Sequence, residues 1–472
     1  MNEELCLLPA TALRELIARR EVSPVEIVDA VLARAERLQP ELNCFVTLCG
    51  DRARDEAKRA QAQIAAGEPL GLLHGIPFSV KDLVETKDLR TTFGAVPYKD
   101  NVPTRDAVSV ARLRASGAIL IGKTTTPEFG SKPLTDSPLF GRTRNAWDAG
   151  RTSGGSSGGA AVAIAAGIAP LAVATDGGGS TRIPAACNGV VGIKQTAGVI
   201  PHSQAQDAFG NQTYVTPTTR TVADTVLMMQ VMSGGDPVDP LSIGLKDQDF
   251  AGVLTAPTDL RGCRVRFCDV PAGRFLSADV RAAFEKGLSL LADLGAELIE
   301  MPGEGFDVEP TWRAVNHTVW RARFGALVRE KRSMLSETFC RQVDSASTVS
   351  GLEYQQAMFD RTALFRRVQM LLDDADIIAT PTVTRTALPI GQDLFDPIEI
   401  DGRRLEGMRT NWYPWTMPYN MTGHPAVSMP CGFGSDGLPI GIQFVGRFRE
   451  DAQLLRIARA FETTQPFEMA PV

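Results

Sequence analysis

The chain has 472 residues, a net charge of −6, 44% apolar residues and 22% charged residues. That is the composition of an ordinary soluble globular enzyme with a large core, and the acidic balance argues against nucleic acid as the main partner, which would need a basic face. The acidic start MNEELCLL lacks the basic and long apolar regions of a signal peptide, so the expected location is cytoplasmic.

Ser23-Pro24-Val25-Glu26 is a helix start, with serine as cap, proline in the first turn and glutamate closing a capping box. The predicted helix runs to about Leu38. A strand over Cys44 to Leu48 and a helix over Arg52 to Ala66, ended by Gly67, follow. In Leu72 to Leu83, Gly75 and Pro77 mark a turn, and Phe78-Ser79-Val80 is an apolar strand that delivers Lys81. Asp106 to Ala115 reads as helix and Ala118 to Ile121 as a buried strand. Thr152 to Thr175 carries no charge and is long enough to span a membrane. Its five glycines, Pro170 and many alanines instead suggest a buried helix, a turn and a buried strand.

Further helices are predicted over Thr221 to Met232, Ala278 to Leu294 and Asp451 to Phe461. Strands are predicted over Arg264 to Cys268, Ala296 to Met301, Ile377 to Ala379, Ala426 to Met429 and Gly441 to Val445. Residues 311–375 are helix-dominated. The alternation of helix and strand indicates an α/β fold. No repeat, low-complexity tract or linker divides the chain, so one domain over 1–472 is expected.

Eight cysteines form no CxxC pair, and four scattered histidines (His74, His202, His317, His424) give no metal-ligand spacing. Gly117 to Thr124 matches the phosphate-loop pattern GxxxxGKT. Its four middle residues are themselves the strand, however, and Pro127 sits where the helix should begin. GxSxG occurs at Gly154–Gly158 and Gly155–Gly159, preceded by turn-like residues instead of the strand a nucleophile elbow requires.

The densest signal is Arg151 to Thr196. Two Gly/Ser clusters, GGSSGG (Gly154 to Gly159) and DGGGS (Asp176 to Ser180), flank a run of small apolar residues. Between Gly154 and Ile200 the only charges are Asp176, Arg182 and Lys194. Glycine lets backbone approach backbone or ligand closely. Such dry serines need partners, and Lys81 follows an apolar strand. Taken alone, Lys81 fits a salt bridge to Asp82 or another carboxylate. Combined with the serines it suggests a base, because burial disfavours the ammonium form and a neutral lysine can deprotonate a hydroxyl.

These motifs resemble the amidase signature family. The match covers about residues 72–200, with weaker similarity beyond. The family's GIPxxVKD lysine falls on Lys81, its cis-serine on Ser156, and its acyl-forming serine on Ser180. The spacings are 75 and 24 residues. Arg182 and the GKTxxPEF run from Gly122 to Phe129 also fit. Thr125, Ala146, Ser153 and Gln195 depart from the family pattern without removing a catalytic group.

The resemblance implies a single α/β/α domain whose large mixed central sheet is covered by helices on both faces. It implies a Ser–cisSer–Lys triad of Ser180, Ser156 and Lys81. Backbone N–H groups of Gly177, Gly178, Gly179 and Ser180 form the implied oxyanion hole, with Ser157, Asp176 and Arg182 in support. No metal and no organic cofactor is implied. The partner is a small amide, with neither membrane nor nucleic acid, and a homodimer is an allowed assembly.

Two enzymes fit: a stand-alone amidase, or the glutaminase subunit of a tRNA-dependent amidotransferase. A non-enzymatic binding member is disfavoured by the intact lysine and serines. Helices in about 305–375 are expected to shape the substrate site. So is Asn411 to Asn420, where Trp412, Trp415 and Tyr419 line either a pocket or the core. The aromatics favour an apolar or aryl amide over glutamine.

Overall fold

The computed structural model describes residues 3–465 and 468–472. Residues 1, 2, 466 and 467, which fall within the expected unit 1–472, lie outside the described residues. Eleven strands form one mixed sheet: β1 (Phe45–Leu48), β2 (Pro77–Lys81), β3 (Ile119–Thr124), β4 (Leu171–Asp176), β5 (Val191–Lys194), β6 (Tyr214–Thr219), β7 (Arg264–Phe267), β8 (Glu297–Glu300), β9 (Ile377–Pro381), β10 (Ala426–Phe433) and β11 (Pro439–Gly446). The spatial order is β1-β3-β2-β4-β6-β5-β10-β11-β9-β7-β8. β2 runs parallel to both β3 and β4, and β7 runs parallel to both β8 and β9; the remaining pairs are antiparallel.

Helices cover both faces. The principal ones are α1 (Pro24–Leu42), α2 (Gly50–Ala66), α3 (Val108–Ala115), α4 (Gly158–Ala165), α5 (Arg182–Asn188), α6 (Val222–Met232), α7 (Ala278–Asp293), α8 (Glu309–Lys331), α9 (Glu337–Ser345), α10 (Gly351–Leu371), α11 (Met408–Trp412), α12 (Met417–Thr422) and α13 (Asp451–Glu462). Successive strand side chains point to opposite faces. Thus Ile377 and Ala379 join one apolar core with α1, α4, α6, α7 and α13, while Ile378 joins a second with α8 to α12.

The capping box at Ser23 forms as the sequence dictates: Ser23 N donates to Glu26 at 2.9 Å and Glu26 N to Ser23 Oγ at 3.2 Å. α1 passes its expected end at Leu38 and stops at Leu42, where Asn43 takes a left-handed conformation. The uncharged run from Thr152 to Thr175 supplies α4 and β4, and no helix among the described residues is long and apolar enough to cross a membrane. β5 and β6 are not predicted from sequence. β5 is four residues long, and β6 contains Pro217, which argues against a central strand.

Candidate active site

β2 and β4 are parallel neighbours, with Val80 opposite Val173. Their carboxyl ends open on one side of the sheet, where open α/β sheets bind ligands. β2 is buried throughout and ends on Lys81, which has 0% exposure. Three hydroxyls surround its Nζ: Ser156 Oγ at 2.7 Å, Ser157 Oγ at 2.8 Å and Thr175 Oγ1 at 2.8 Å. Asp82 does not pair with it. The Asp82 carboxylate accepts the Thr92 N–H at 3.1 Å and the Thr92 hydroxyl. Burial pushes the Lys81 ammonium well below its ordinary range, and the charge of Asp176 only partly opposes this.

Ser156 and Ser157 sit in the loop that leads into α4, and the Gly155–Ser156 peptide is cis. The loop is tightly enclosed. A Cβ on Gly155 would stand 2.6 Å from Leu134 N, and one on Gly130 would stand 3.2 Å from Ser156 Oγ. Ser157 N donates to Ser180 O at 3.0 Å, which ties the two Gly/Ser loops together. Ser157 Oγ also donates to Thr175 O at 3.0 Å.

β4 ends on the buried Asp176. Its Oδ1 accepts the Gly179 N–H at 2.7 Å and its Oδ2 the Thr181 N–H at 3.1 Å. Arg182, at the start of α5, reaches back to both oxygens at 3.0 Å. Burial alone would raise the Asp176 carboxyl, but Arg182, Asn420 and the Gly179 N–H hold it well below the usual carboxylate range. Arg182 also donates to Gln443 Oε1 at 2.7 Å and to Asn420 Oδ1 at 2.6 Å. Asn420 Nδ2 returns to Asp176 Oδ1 at 2.8 Å.

The expected set of four backbone donors is corrected at one position. The Gly179 N–H is committed to Asp176, whereas those of Gly177, Gly178 and Ser180 have no partner among the described residues. Gly179 has φ +119°, and a Cβ there would stand 2.6 Å from Thr416 Cβ, so only glycine fits. The Gly177 carbonyl accepts from Trp312 Nε1 at 2.9 Å and the Gly178 carbonyl from Thr416 Oγ1 at 2.7 Å.

Ser156, Thr175, Gly177, Gly178 and the half-buried Ser180 line a cavity of about 180 Å³. Its other walls include Phe129, Trp312, Trp320, Phe324, Arg409 and Tyr413. The expected pocket aromatics Trp412, Trp415 and Tyr419 do not line it. α11, α12 and the segment between them turn these side chains into the second core, where all three are at most 1% exposed. Trp412 Nε1 donates to Arg385 O at 3.2 Å and Trp415 Nε1 to Asp269 O at 3.3 Å. Tyr413 is the member of the cluster that reaches the cavity.

Sequence reasoning missed Thr175, Thr416, Asn420 and Gln443. Asn420 and Thr416 lay within the stretch singled out for its aromatics, and their polar side chains were the usable signal. The phosphate-loop match is a strand, β3. Its Lys123 donates to Thr86 Oγ1 at 2.7 Å and to the Val84 carbonyl.

A model of the Amidase family matches residues 26–455. An acylamidase of Rhodococcus erythropolis is 37% identical over 99% of this chain and 97% of its own length. A glutamyl-tRNA(Gln) amidotransferase polypeptide of Roseiflexus sp. (strain RS-1) is 34% identical over 95% of this chain and 94% of its own. The crystal structure of a bacterial aryl acylamidase of the amidase signature family superposes with a TM-score of 0.89 at 28% identity, covering 98% of this chain and 96% of that one.

Proposed function

The chain belongs to the amidase signature family and hydrolyses the carbon–nitrogen bond of small carboxylic amides, and from that premise we propose that it works through an acyl-enzyme on Ser180. The observation that carries the proposal is Lys81 Nζ, buried and 2.7 Å from Ser156 Oγ, beside a cavity into which Ser180 opens.

In this mechanism Ser180 Oγ attacks the amide carbon. Its proton passes to Ser156 Oγ as the proton of Ser156 passes to neutral Lys81 Nζ. The tetrahedral oxyanion is held by the N–H groups of Gly177, Gly178 and Ser180, each such donor being worth roughly 3–4 kcal/mol. Ser156 then returns a proton to the departing amine, which leaves poorly unless protonated, and Lys81 resupplies Ser156. Water attacks the ester by the same route and frees the carboxylate. Ser157 and Thr175 orient the lysine. Asp176 and Arg182 fix the glycine loop.

No metal takes part in this sequence, so activity is expected to persist in excess EDTA. A cytoplasmic location belongs to the same reading and suits eight free thiols in a reducing compartment. A single domain with homodimeric assembly completes it, and light scattering on the purified chain checks the dimer.

The substrate is proposed to be an apolar or aryl amide, as the names of the acylamidase relatives and the Phe129, Phe324 and Trp320 walls support. The amidotransferase relatives are less similar, at 34% identity or below against 37% for the acylamidase. A hydrolysis panel of aliphatic amides, anilides and glutamine on the purified chain decides between them. Turnover of anilides by the chain alone is expected. Glutamine turnover with no anilide activity would overturn the reading.

A further inference from the structure

The cavity wall contains a cation that the hydrolytic sequence does not use. Arg409, on α11, is 8% exposed and lines the same cavity as Ser180. Its Nη2 donates to the side-chain amide oxygen of Gln342, itself buried on α9. The guanidinium lies 5.3 Å from the centroid of the Trp312 ring. Both partners are neutral, and among the described residues Arg409 has no carboxylate partner. Of the other cations lining the cavity, Lys132 pairs with Asp136 at 2.8 Å, and the exposed Arg323 lies over the Phe324 ring, 4.9 Å from its centroid. Buried cations are normally paired, and a guanidinium stays protonated at every working pH. The unbalanced charge is felt nearby. His317 is pushed down to about 3 by burial, with Arg409 and Arg313 adding to the effect.

One indole separates this cation from the glycine loop. Trp312 Nε1 donates to Gly177 O at 2.9 Å, and a Cβ on Gly178 would meet Trp312 Cζ2 at 3.1 Å. The Trp312 indole therefore touches both the guanidinium and the glycine loop that leads to Ser180. Phe129, Trp320 and Phe324 add apolar walls to the same cavity.

We propose that Arg409 binds a carboxylate carried by the substrate, separated from the scissile amide by a flat apolar spacer such as a phenyl ring. The proposal rests on the amide-hydrolase reading and narrows its substrate class. Arg409 donors not used by Gln342 can meet a carboxylate in the two-point geometry that guanidinium favours. Free glutamine fits less well, because its ammonium needs an anion. The one carboxylate lining the cavity among the described residues, Asp207, accepts the Gly210 N–H at 2.8 Å within its own turn.

The test compares kcat/KM for matched amides on the purified chain: acetanilide with 4-acetamidobenzoate, and benzanilide with N-phenylterephthalamate. The first pair places the carboxylate on the amine side, the second on the acyl side. The carboxylate member is expected to be preferred in at least one pair, chiefly through KM. Arg409→Met should cut that preference by about 10–100-fold. Arg409→Lys should restore part of it, because charge remains and the fork does not. Preference for the neutral member in both pairs, or a preference unchanged in Arg409→Met, overturns the anchor. Should Arg409→Met fail to fold, the wild-type preference and Arg409→Lys decide. If no amide in the panel is hydrolysed, the amide-hydrolase reading fails instead. The anchor is then judged by thermal shift with 4-acetamidobenzoate, expected for the wild type and absent in Arg409→Met; no wild-type shift overturns it.

Discussion

Asp176 and Arg182 meet in a two-point ion pair, Nε to Oδ2 and Nη2 to Oδ1 each at 3.0 Å, with neither side chain exposed. The three glycines 177–179 are strung between the pair, and the Gly179 N–H folds back onto Asp176. Removing one member of a buried pair costs about 3–5 kcal/mol, because the other is left charged and unmatched. Arg182→Met is expected to lower the melting temperature sharply and to lower kcat in whatever fraction folds. Arg182→Lys should fall between, since an ammonium cannot reach Asp176, Asn420 and Gln443 together. A Met variant that melts like the wild type contradicts the assignment.

Ser180 is expected to take a single phosphonyl group per chain from a fluorophosphonate, located by peptide mass spectrometry. Ser180→Ala should take none. A label on Ser156 or Ser157 that survives Ser180→Ala would reverse the roles of the two loops.

In the proposed mechanism Lys81 can act as base only when neutral. An exposed lysine titrates near 10.4, and burial lowers the Lys81 value, so kcat should rise with pH and level off below about 10.4. Lys81→Ala is expected to lose on the order of 10⁴-fold or more. Lys81→Arg should not recover it, since guanidinium keeps its proton. An active Arg variant refutes the base role.

Trp415 and Trp312 should behave differently. Trp415 is a core side chain against Phe306, ring centroids 5.0 Å apart, so Trp415→Ala is expected to destabilise the fold by about 3–5 kcal/mol. It should shift KM for an anilide and for acetamide alike. Trp312 lines the cavity, and Trp312→Ala should raise KM for the anilide more. Equal shifts for both amides in Trp312→Ala would place it outside the substrate's reach.

Lys123 ties stability to pH. Burial lowers its pKa to about 7, while the unfolded chain releases that proton near 10.4. Between these values the unfolded state binds more protons, so stability rises as pH increases from about 7. Lys81 and Lys194, also depressed by burial, act in the same direction. Lys123→Met should make the rise in melting temperature between about pH 7 and 9 shallower. An unchanged slope counts against it.

Local signals carried the sequence reading far where they were strong. The capping box at Ser23, the apolar strand before Lys81 and the two Gly/Ser loops all appear close to the residues expected. What escaped was information held between distant segments. Nothing near Gly179 in the chain says that its N–H will be taken by Asp176 instead of staying free. Nothing near Arg182 names Gln443, 261 residues away. The aromatics of 411–420 were conspicuous by composition, yet which of them faces a cavity depends on two short helices, of five and six residues, and on the link between them that holds Tyr413 and Trp415. Such helices are too brief for periodicity to orient. The GKTxxPEF run has a similar explanation. Its Glu128 carboxylate accepts the N–H and hydroxyl of Ser336, the cap of α9, a role no local pattern announces.

The pairing of Arg182 with Asn420 and Gln443 also has a consequence in time. A growing chain on the ribosome has made Lys81, Ser156 and Ser180 long before it makes residues 420 and 443. Until those two emerge, Arg182 lacks the amides that hold its fork against Asp176, and the glycine loop lacks its fixed frame. A chain cut before Asn420 is therefore expected to hold Lys81, Ser156 and Ser180 and still to lack the frame that fixes the glycine loop.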